Sequence, residues 1–346
     1  MIYLNNAEES WPKPELVREV IARSVSEAAR GRVNAKSIMR LKTRTQETMA
    51  ALLGADYVSI TAGATPALRS LLRRYDPWSV LTTDLEHTAV LNPLNFVSQK
   101  RDRNHGVEKS AVIVKSRNGF VKMNDIQKSL AHNTKLVVMA HASNVFGTVQ
   151  DISPIGRYLE RQGILFVVDG AQSAGAIPVD FSRLHCDFYV CSGHKWLFGL
   201  EGVGAVLSKN GFTGARYAPL PQSVGGRRVM GCANLAALCA GSEFVLSEKQ
   251  IFRRLSCMRR MLFRALSDIK KLTVYGKDGK APLVSFNRAG MAAERLGKAL
   301  EKKSIIVRAG NQSSPLAMTG GCVRASFSYL NSTNDFRILE YALKNA

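Results

Sequence analysis

The feature that most constrains the fold of this chain is a series of short apolar segments alternating with helical patterns from about residue 57 onward. "YVSIT" precedes a helical pattern from about 66 to 74, and "VVMA" precedes "DISPIGRYLERQ". The apolar segments "ILFVVD", "DFYVCS" and "VGAVLS" follow. Short apolar strands separated by helices are typical of a mainly parallel sheet with helices on both faces. The sequence therefore predicts an α/β fold whose ligands bind at the carboxyl ends of the strands.

The pattern changes after about residue 235, where longer helical segments dominate and "APLVSFN" and "CVRASFS" are the later strand candidates. A chain of 346 residues is long enough for one large domain and a smaller one. We expect a boundary between 230 and 245. The prediction is a large domain over 15–240 and a smaller α+β domain that combines 1–14 with 241–346.

A formal net charge of +21 is the most unusual bulk property, with dense basic stretches at 18–44 and 249–271. The second stretch is typical of an amphipathic helix, with an apolar stripe of Ile251, Leu255, Met258, Leu262, Ala265 and Ile269. A docked helix with a solvated basic face is the ordinary interpretation. Contact with an anionic partner, either nucleic acid or an acidic protein, is the alternative. The sequence contains no zinc-finger or RNA-binding signature that would decide for nucleic acid.

The cysteines and the N-terminus favour a cytoplasmic protein. None of the six cysteines forms a C-x-x-C pair, and none has the spacing of a zinc site, so we expect reduced thiols and no metal. The sequence has no apolar run of transmembrane length and does not begin with a secretory signal pattern.

Two charged residues follow predicted strands in positions that are unusual for surface side chains. Lys195 lies in "CSGHKWLFG" directly after "DFYV", and Asp169 ends "ILFVVD". A lysine at a buried strand end either reaches toward solvent or does chemistry. An aspartate there either caps the next turn or awaits a cation.

Three further stretches also follow predicted strands. Gly63 permits a tight turn in "ITAGATPALRSLL", where Thr65 would cap a helix beginning at Pro66 and so create an anion site. His87 lies in "TDLEHTAVLNP" and Asn144 in "HASNVFGTVQDI". Each stretch alone is ordinary, but the carboxyl ends of parallel strands converge on one edge of a sheet. A lysine, an aspartate, a phosphate cradle and a histidine at one edge suit pyridoxal phosphate.

At these residues the sequence resembles the class V aminotransferase family of fold-type I pyridoxal-phosphate enzymes, and within it the cysteine desulfurases and selenocysteine lyases. The run from "HASNVFGTVQDI" to "SGHKWLFGLEGVGAVL" carries the resemblance, which extends from "YLNNAEES" to "VRASFS". It implies a seven-stranded, mainly parallel sheet and a homodimer.

The resemblance also implies a role for each matching residue. Lys195 would be the Schiff-base lysine, and His87 would stack on the ring and share in catalysis. The other cofactor contacts would be Ala64, Thr65, Asn144, Asp169 at the pyridinium nitrogen, Gln172 at the ring hydroxyl, Ser192, His194 and Cys232. Substrate would be bound by Asn144, by Ser313, by Arg324 at the α-carboxylate, and by Arg227, for which Arg228 is the rival.

The chain departs from the family in three places. The loop that carries the sulfur-accepting cysteine in desulfurases reads "VRAGNQSSPLAM" here, with Ser313 in the cysteine's place. A hydroxyl cannot carry a persulfide as a thiolate can. The family's glycine-threonine, which reaches the partner subunit's cofactor phosphate, reads Gly231-Cys232. The segment before "GGRR" is short, which predicts a reshaped rim of the active site.

The sequence therefore predicts a pyridoxal-phosphate lyase that cleaves the C–S bond of a cysteine derivative or conjugate by β-elimination. Three alternatives stay open: an aminotransferase or epimerase on the same scaffold, a cysteine desulfurase that uses another thiol such as Cys322, and a non-catalytic basic partner-binding protein.

Overall fold

The computed structural model describes residues 1–75, 79–97, 110–209 and 231–345. Within these ranges the helices are α1 (Glu15–Ala29), α2 (Ala35–Leu53), α3 (Ala64–Tyr75), α4 (Thr88–Val97), α5 (Met123–Ser129), α6 (Ile152–Gln162), α7 (Cys232–Ser247), α8 (Ile251–Ser267), α9 (Ala293–Glu301) and α10 (Thr333–Lys344). The strands are β1 (Ile2–Tyr3), β2 (Tyr57–Thr61), β3 (Ser79–Thr83), β4 (Ser110–Val114), β5 (Leu136–Ala140), β6 (Leu165–Asp169), β7 (Phe188–Ser192), β8 (Gly204–Ser208), β9 (Leu272–Tyr275), β10 (Leu283–Arg288), β11 (Ile305–Ile306), β12 (Arg308–Gly310) and β13 (Cys322–Ser326).

A seven-stranded sheet with the order β2-β8-β7-β6-β5-β3-β4 forms the centre of the molecule. Strands β3 to β7 pair in parallel, whereas β8 runs antiparallel to both β7 and β2. Six of the seven strands therefore point the same way and present their carboxyl ends at one edge. The predicted α/β fold with a mainly parallel sheet is confirmed.

Both faces of this sheet are buried, which explains why its strands read as continuous apolar runs. On β5, Val137 and Met139 join one core cluster, while Leu136 and Val138 join the cluster on the opposite face. This alternation follows from the two-residue period of a strand. Burying each such side chain contributes about 1.5–3 kcal/mol to folding, so the sheet is a rigid base for whatever lies at its edge.

The C-terminal part packs helices against a four-stranded antiparallel sheet with the order β12-β13-β10-β9. The N-terminal segment joins this part, because β1 pairs in parallel with β11 and Asn5 bridges to Ser326. Helix α7 lies between the two cores: Leu235 and Leu238 belong to the core of the large sheet, whereas Ala240 and Val245 belong to the C-terminal core. The expected boundary at 240 lies inside this helix, and the division into two domains stays a prediction.

The basic segment at 249–271 forms a helix as predicted, but its buried face differs from the predicted stripe, because Arg259 and Leu266 are also buried. Leu266 is fully buried in the C-terminal core, while Ala265, the residue of the predicted stripe, is only partly buried. Helix α8 ends at Ser267, and Ile269 is buried just beyond it. Within the described ranges, no helix combines the length and the apolar character needed to cross a membrane.

Candidate active site

A cavity of about 510 Å³ opens at the carboxyl edge of the large sheet. The N-terminal segment contributes Glu8 to its wall, and the C-terminal sheet contributes Arg308 and Arg324. The structure brings eleven of the predicted site residues together in its lining: Ala64, Thr65, His87, Asn144, Asp169, Gln172, Ser192, His194, Lys195, Ser313 and Arg324. Cys232 is partly buried at the start of α7 and is not among the lining residues. Arg227, its rival Arg228 and the short segment before them lie outside the described residues.

Lys195 lies directly after β7, in a turn held by buried neighbours. The carbonyl of Lys195 accepts a hydrogen bond from the backbone N–H of Phe198 at 3.2 Å, and the next two residues, Trp196 and Leu197, are buried. Burial lowers the pKa of the ammonium group from 10.5 to about 8, although the negative charge of Asp169 acts in the opposite direction. A substantial fraction of this amine is therefore neutral near physiological pH and able to act as a nucleophile or base.

Asp169 ends β6 and presents a buried carboxylate to the cavity. Its Oδ1 accepts a hydrogen bond from the backbone N–H of Ala171 at 2.9 Å. Burial raises the pKa of the carboxyl group, and the charge of Lys195 opposes that rise. Among the described residues Asp169 forms no ion pair, so the carboxylate has room for a cationic partner from a ligand.

His87 is held in one tautomer by the backbone that follows it. Its Nδ1 lies 3.0 Å from the backbone N–H of Ala89 and accepts its hydrogen bond, so a neutral ring carries its proton on Nε2. Burial, assisted by the positive charges of Lys195, Arg308 and Arg324, lowers the pKa of the imidazole to about 4. A neutral, flat ring at the cavity wall suits stacking on an aromatic ligand.

The anion cradle exists, but its local structure differs from the prediction. Helix α3 begins at Ala64, and the carbonyl of Gly63 accepts the first helical hydrogen bond, from the N–H of Ala67 at 3.4 Å. The prediction that Thr65 caps a helix beginning at Pro66 was therefore wrong, because the φ of +118° at Gly63 lets the chain turn into the helix earlier. The consequence for binding is small, since Ala64 and Thr65 at the start of α3 line the cavity and the first turn of a helix has N–H groups without intrahelical partners.

Ser192 and His194 complete the cradle on the other side. The Ser192 hydroxyl lies 3.2 Å from Nδ1 of His194. Burial, assisted by the positive charges of Lys195 and Lys13, lowers the pKa of His194 to about 4. Because a neutral imidazole carries one N–H, this hydrogen bond leaves one donor of the pair, either the Ser192 O–H or the His194 N–H, for an anion.

Arg324 is a buried guanidinium on β13, only 2% exposed. It donates to the backbone carbonyl of Asn144 at 3.1 Å and to Oδ1 of Asn5 at 3.3 Å, while its Nε is buried with no partner among the described residues. Burial lowers its pKa to about 10, with a further contribution from the charge of Arg308. Arg324 forms no ion pair with a described carboxylate, and its Nε–H and the second N–H of each terminal nitrogen remain for a carboxylate from a ligand.

Two side chains that the resemblance assigns to ligand contacts already form hydrogen bonds inside the protein. Gln172 donates from Nε2 to the carbonyl of Ala7 at 2.9 Å and accepts at Oε1 from the Trp196 indole at 3.1 Å. Asn144 donates to the carbonyl of Gln312 at 2.7 Å and accepts from the Ser314 hydroxyl at 2.8 Å. The roles that the resemblance implies for these two amides stay predictions.

Three charged residues at or beside the site were given no role by the sequence; one of them, Arg308, belongs to the loop that resembles the family's active-site loop. Glu8 and Arg308 face each other as an ion pair at the cavity wall, although they are separated by most of the chain. Glu86 is fully buried next to His87; its Oε1 accepts from Thr83 Oγ1 at 2.6 Å and from the Ala140 N–H at 3.0 Å. Burial raises the pKa of Glu86 to about 8. The only sequence signal for Glu86 was its place beside His87, and Glu8 had none.

Cysteine is absent from the described residues that line the cavity. Cys322 is fully buried on β13, and burial raises the pKa of its thiol. A buried, protonated thiol is unreactive, which argues against this residue as a replacement nucleophile.

Comparison with known proteins gives one family. The sequence profile described as "Aminotransferase class-V" matches residues 15–339. A protein of Halalkalibacterium halodurans named "Probable cysteine desulfurase" is 26% identical over 319 residues, which cover 83% of this chain and 77% of that protein.

Solved structures show the same fold at low identity. An apo cysteine desulfurase from Thermococcus onnurineus NA1 superposes with a TM-score of 0.86 at 22% identity, covering 99% of this chain and 94% of that one. A complex of the cystine C–S lyase C-DES with its product cysteine persulfide superposes with a TM-score of 0.83 at 21% identity, covering 99% and 97%. At these identities the likeness concerns the fold.

Proposed function

Because the chain belongs to the aminotransferase class-V family and uses pyridoxal phosphate, we propose that it cleaves the C–S bond of a cysteine derivative by β-elimination. The family resemblance inferred from the sequence is confirmed. One observation carries the proposal: the described lining contains the lysine, the aspartate and the anion cradle, but Ser313 instead of a thiol. Elimination needs no thiol on the protein, whereas sulfur transfer to the protein does.

The residues present fit the cofactor. Asp169 offers a buried carboxylate that forms no direct ion pair with a described residue, which suits a pyridinium nitrogen, and the start of α3 with Ser192 and His194 suits a phosphate. His87 would lie against the ring face and Lys195 would hold the carbonyl carbon. When bound, pyridoxal phosphate supplies an electron sink for negative charge at the substrate Cα.

Arg324 would bind the substrate α-carboxylate and fix its orientation. Its guanidinium is buried and its Nε lacks a partner among the described residues, so a carboxylate would satisfy a donor that is otherwise costly to leave unpaired. This preference supports an α-amino acid as the substrate class.

Lys195 would then remove the Cα proton with its neutral Nζ, since its lowered pKa makes the neutral amine accessible near physiological pH. The Cβ–S bond breaks, and its electron pair leaves with the sulfur as a thiolate or persulfide. Water converts the remaining unsaturated amino acid to pyruvate and ammonium.

The alternatives differ in their products. Transamination requires a keto acid as amino acceptor, and epimerisation returns the amino acid with inverted configuration at Cα. A desulfurase forms alanine, and a non-catalytic protein that binds an anionic partner forms no product and binds in a strongly salt-dependent way. A homodimer belongs to the proposal because the family resemblance implies it.

The test compares the wild-type protein with Lys195→Ala, each loaded with pyridoxal phosphate and supplied with cystine and with S-ethylcysteine. The wild type should release pyruvate and ammonium, and Lys195→Ala should release neither. Lys209→Ala is the matched control, because Lys209 pairs with Glu160 at 2.8 Å away from the cavity. Pyruvate formation by Lys195→Ala at the wild-type rate would overturn the assignment.

A further inference from the structure

The loop that carries Ser313 has an unusual backbone. Gln312 and Ser313 both have left-handed conformations, with φ angles of 55° and 57°. For residues other than glycine this region is unfavourable, and two such residues in succession persist only where their surroundings hold them. At the wall of an active site, such a conformation indicates that the loop holds a side chain or a backbone group in a fixed position.

Several hydrogen bonds hold this loop against the sheet edge. Asn144 and the backbone N–H of Thr88 donate to the carbonyls of Gln312 and Ser313 at 2.7 Å and 2.8 Å. The buried side chain of Gln312 donates to the carbonyls of Arg308, Gly310 and Cys322. The contact with Thr88 places Ser313 beside the residue that follows His87, so the loop is fixed next to the predicted ring-stacking side chain.

The Ser313 hydroxyl keeps one hydrogen-bonding function free. Arg308 donates from Nη2 to Ser313 Oγ at 3.0 Å. Because a guanidinium has donors only, this contact leaves the O–H proton of Ser313 unused. No described residue accepts that proton, and Ser313 lines the cavity. Its donor is therefore available to a ligand.

Arg308 orients this hydroxyl and adds positive charge behind it. The ion pair with Glu8 anchors the guanidinium at the cavity wall. Its charge also contributes to the lowered pKa of both His87 and Lys195.

We propose that Ser313 is a catalytic residue that donates a hydrogen bond to the sulfur as it leaves Cβ, and that Arg308 is the residue that positions and polarises it. This inference rests on the proposed β-elimination. As the Cβ–S bond breaks, both electrons go to sulfur, and the thiolate charge meets the Ser313 O–H. The hydroxyl keeps its proton, because a thiol is far more acidic than a serine. The two residue types would therefore act differently at this loop position. Ser313 would stabilise the sulfur as it departs, whereas a cysteine would accept the sulfur covalently.

The test varies the leaving group and removes the hydroxyl. The cofactor-loaded wild type, Ser313→Ala and Ser313→Gly are assayed for pyruvate with β-chloroalanine, an S-arylcysteine and S-ethylcysteine. A hydrogen bond to a charged group predicts a loss in kcat/KM of about 10-fold to 100-fold for S-ethylcysteine, whose thiolate is the most basic leaving group. The loss should be smaller for the S-aryl compound and absent for β-chloroalanine, since chloride needs no such help. Glycine relieves the left-handed strain, so equal losses in Ser313→Ala and Ser313→Gly would tie the effect to the hydroxyl.

Ser314→Ala is the control for loosening the loop, because the Ser314 hydroxyl binds Asn144 and does not line the cavity. It should change the rates with all three substrates by one common factor. Titration of the cofactor absorbance with alanine, which has no leaving group, should give the same Kd for the wild type and Ser313→Ala.

Equal losses in Ser313→Ala with all substrates, β-chloroalanine included, would overturn the inference while leaving the elimination intact. Absence of pyruvate from every substrate with the wild type would overturn the proposed function and the inference together.

Discussion

Replacing Lys195 with methionine should stabilise the cofactor-free protein near neutral pH, because the chain buries an ammonium group there. A pKa lowered from 10.5 to about 8 corresponds to a cost of about 3 kcal/mol for holding the charged form in the folded state. Methionine has a similar length and no charge to desolvate. The substitution also removes the counter-charge of Asp169, whose pKa is already raised by burial, so we expect a net gain of about 1–2 kcal/mol.

The gain should depend on pH in one direction. Below about pH 8 the lysine is protonated in both the folded and the unfolded state, so the full cost is present. As the pH rises toward 10.5 the unfolded-state lysine also loses its proton, and the cost falls. At pH 10, which is still below the unfolded-state pKa, about a quarter of the cost remains. The difference between Lys195→Met and wild type should therefore be largest at pH 7 and clearly smaller at pH 10.

Urea unfolding of both cofactor-free proteins at pH 7 and pH 10 measures this difference. Lys344→Met is the control, since Lys344 is an exposed partner of Glu340 and its loss should change the free energy of unfolding by less than about 0.5 kcal/mol. A destabilised Lys195→Met at pH 7, or an equal gain at both pH values, would refute the reasoning that burial depresses the pKa of Lys195.

Two further predictions concern the neighbours of Lys195. Gly241→Ala should destabilise the protein by about 1–3 kcal/mol in thermal unfolding, because a Cβ at Gly241 would lie 2.0 Å from the carbonyl oxygen of Leu197. Gly231→Ala, where the nearest atom is 3.6 Å away at a φ of -56°, is its control, and equal melting points for the two variants would contradict the steric argument. His87, whose pKa burial lowers to about 4, should show one neutral Nε2–H tautomer in ¹⁵N NMR from pH 8 down to pH 5, and a titration near pH 6.5 would show that the ring is more hydrated than its burial implies.

The edge of the large sheet could be predicted from the sequence because it depends on local patterns. Lys195, Asp169 and His87 each follow an apolar strand, and parallel strands place their carboxyl ends together. The parallel pairing of the strands is enough to bring these three residues to one cavity. The family resemblance then gave each of them an expected role.

The remaining wall depends on packing between distant segments, which no local pattern records. Glu8 and Arg308 meet because β1 pairs with β11, directly before β12. The conformation of the Ser313 loop depends on Asn144 and Thr88, which follow strands of the seven-stranded sheet. Sequence reasoning found the substitution of serine for cysteine but could not show that the hydroxyl is held by a guanidinium.

Two predictions about helices were wrong in detail, one about the start of α3 and one about the buried face of α8. The start of α3 was placed two residues late because the positive φ at Gly63 lets the helix begin before the threonine that looked like its cap. On α8 the spacing rule selected Ala265, whereas the larger Leu266 occupies the buried face. Burial of the larger apolar side chain outweighs a strict repeat.

The central claim is that this chain eliminates sulfur and does not transfer it to itself. The most direct measurement is ¹³C NMR of the cofactor-loaded protein turning over uniformly ¹³C-labelled cystine and, separately, labelled cysteine. Elimination predicts labelled pyruvate with ammonium and no labelled alanine, as expected for a cavity whose described lining contains Ser313 and no cysteine. Labelled alanine together with persulfide sulfur bound to the protein would contradict the account.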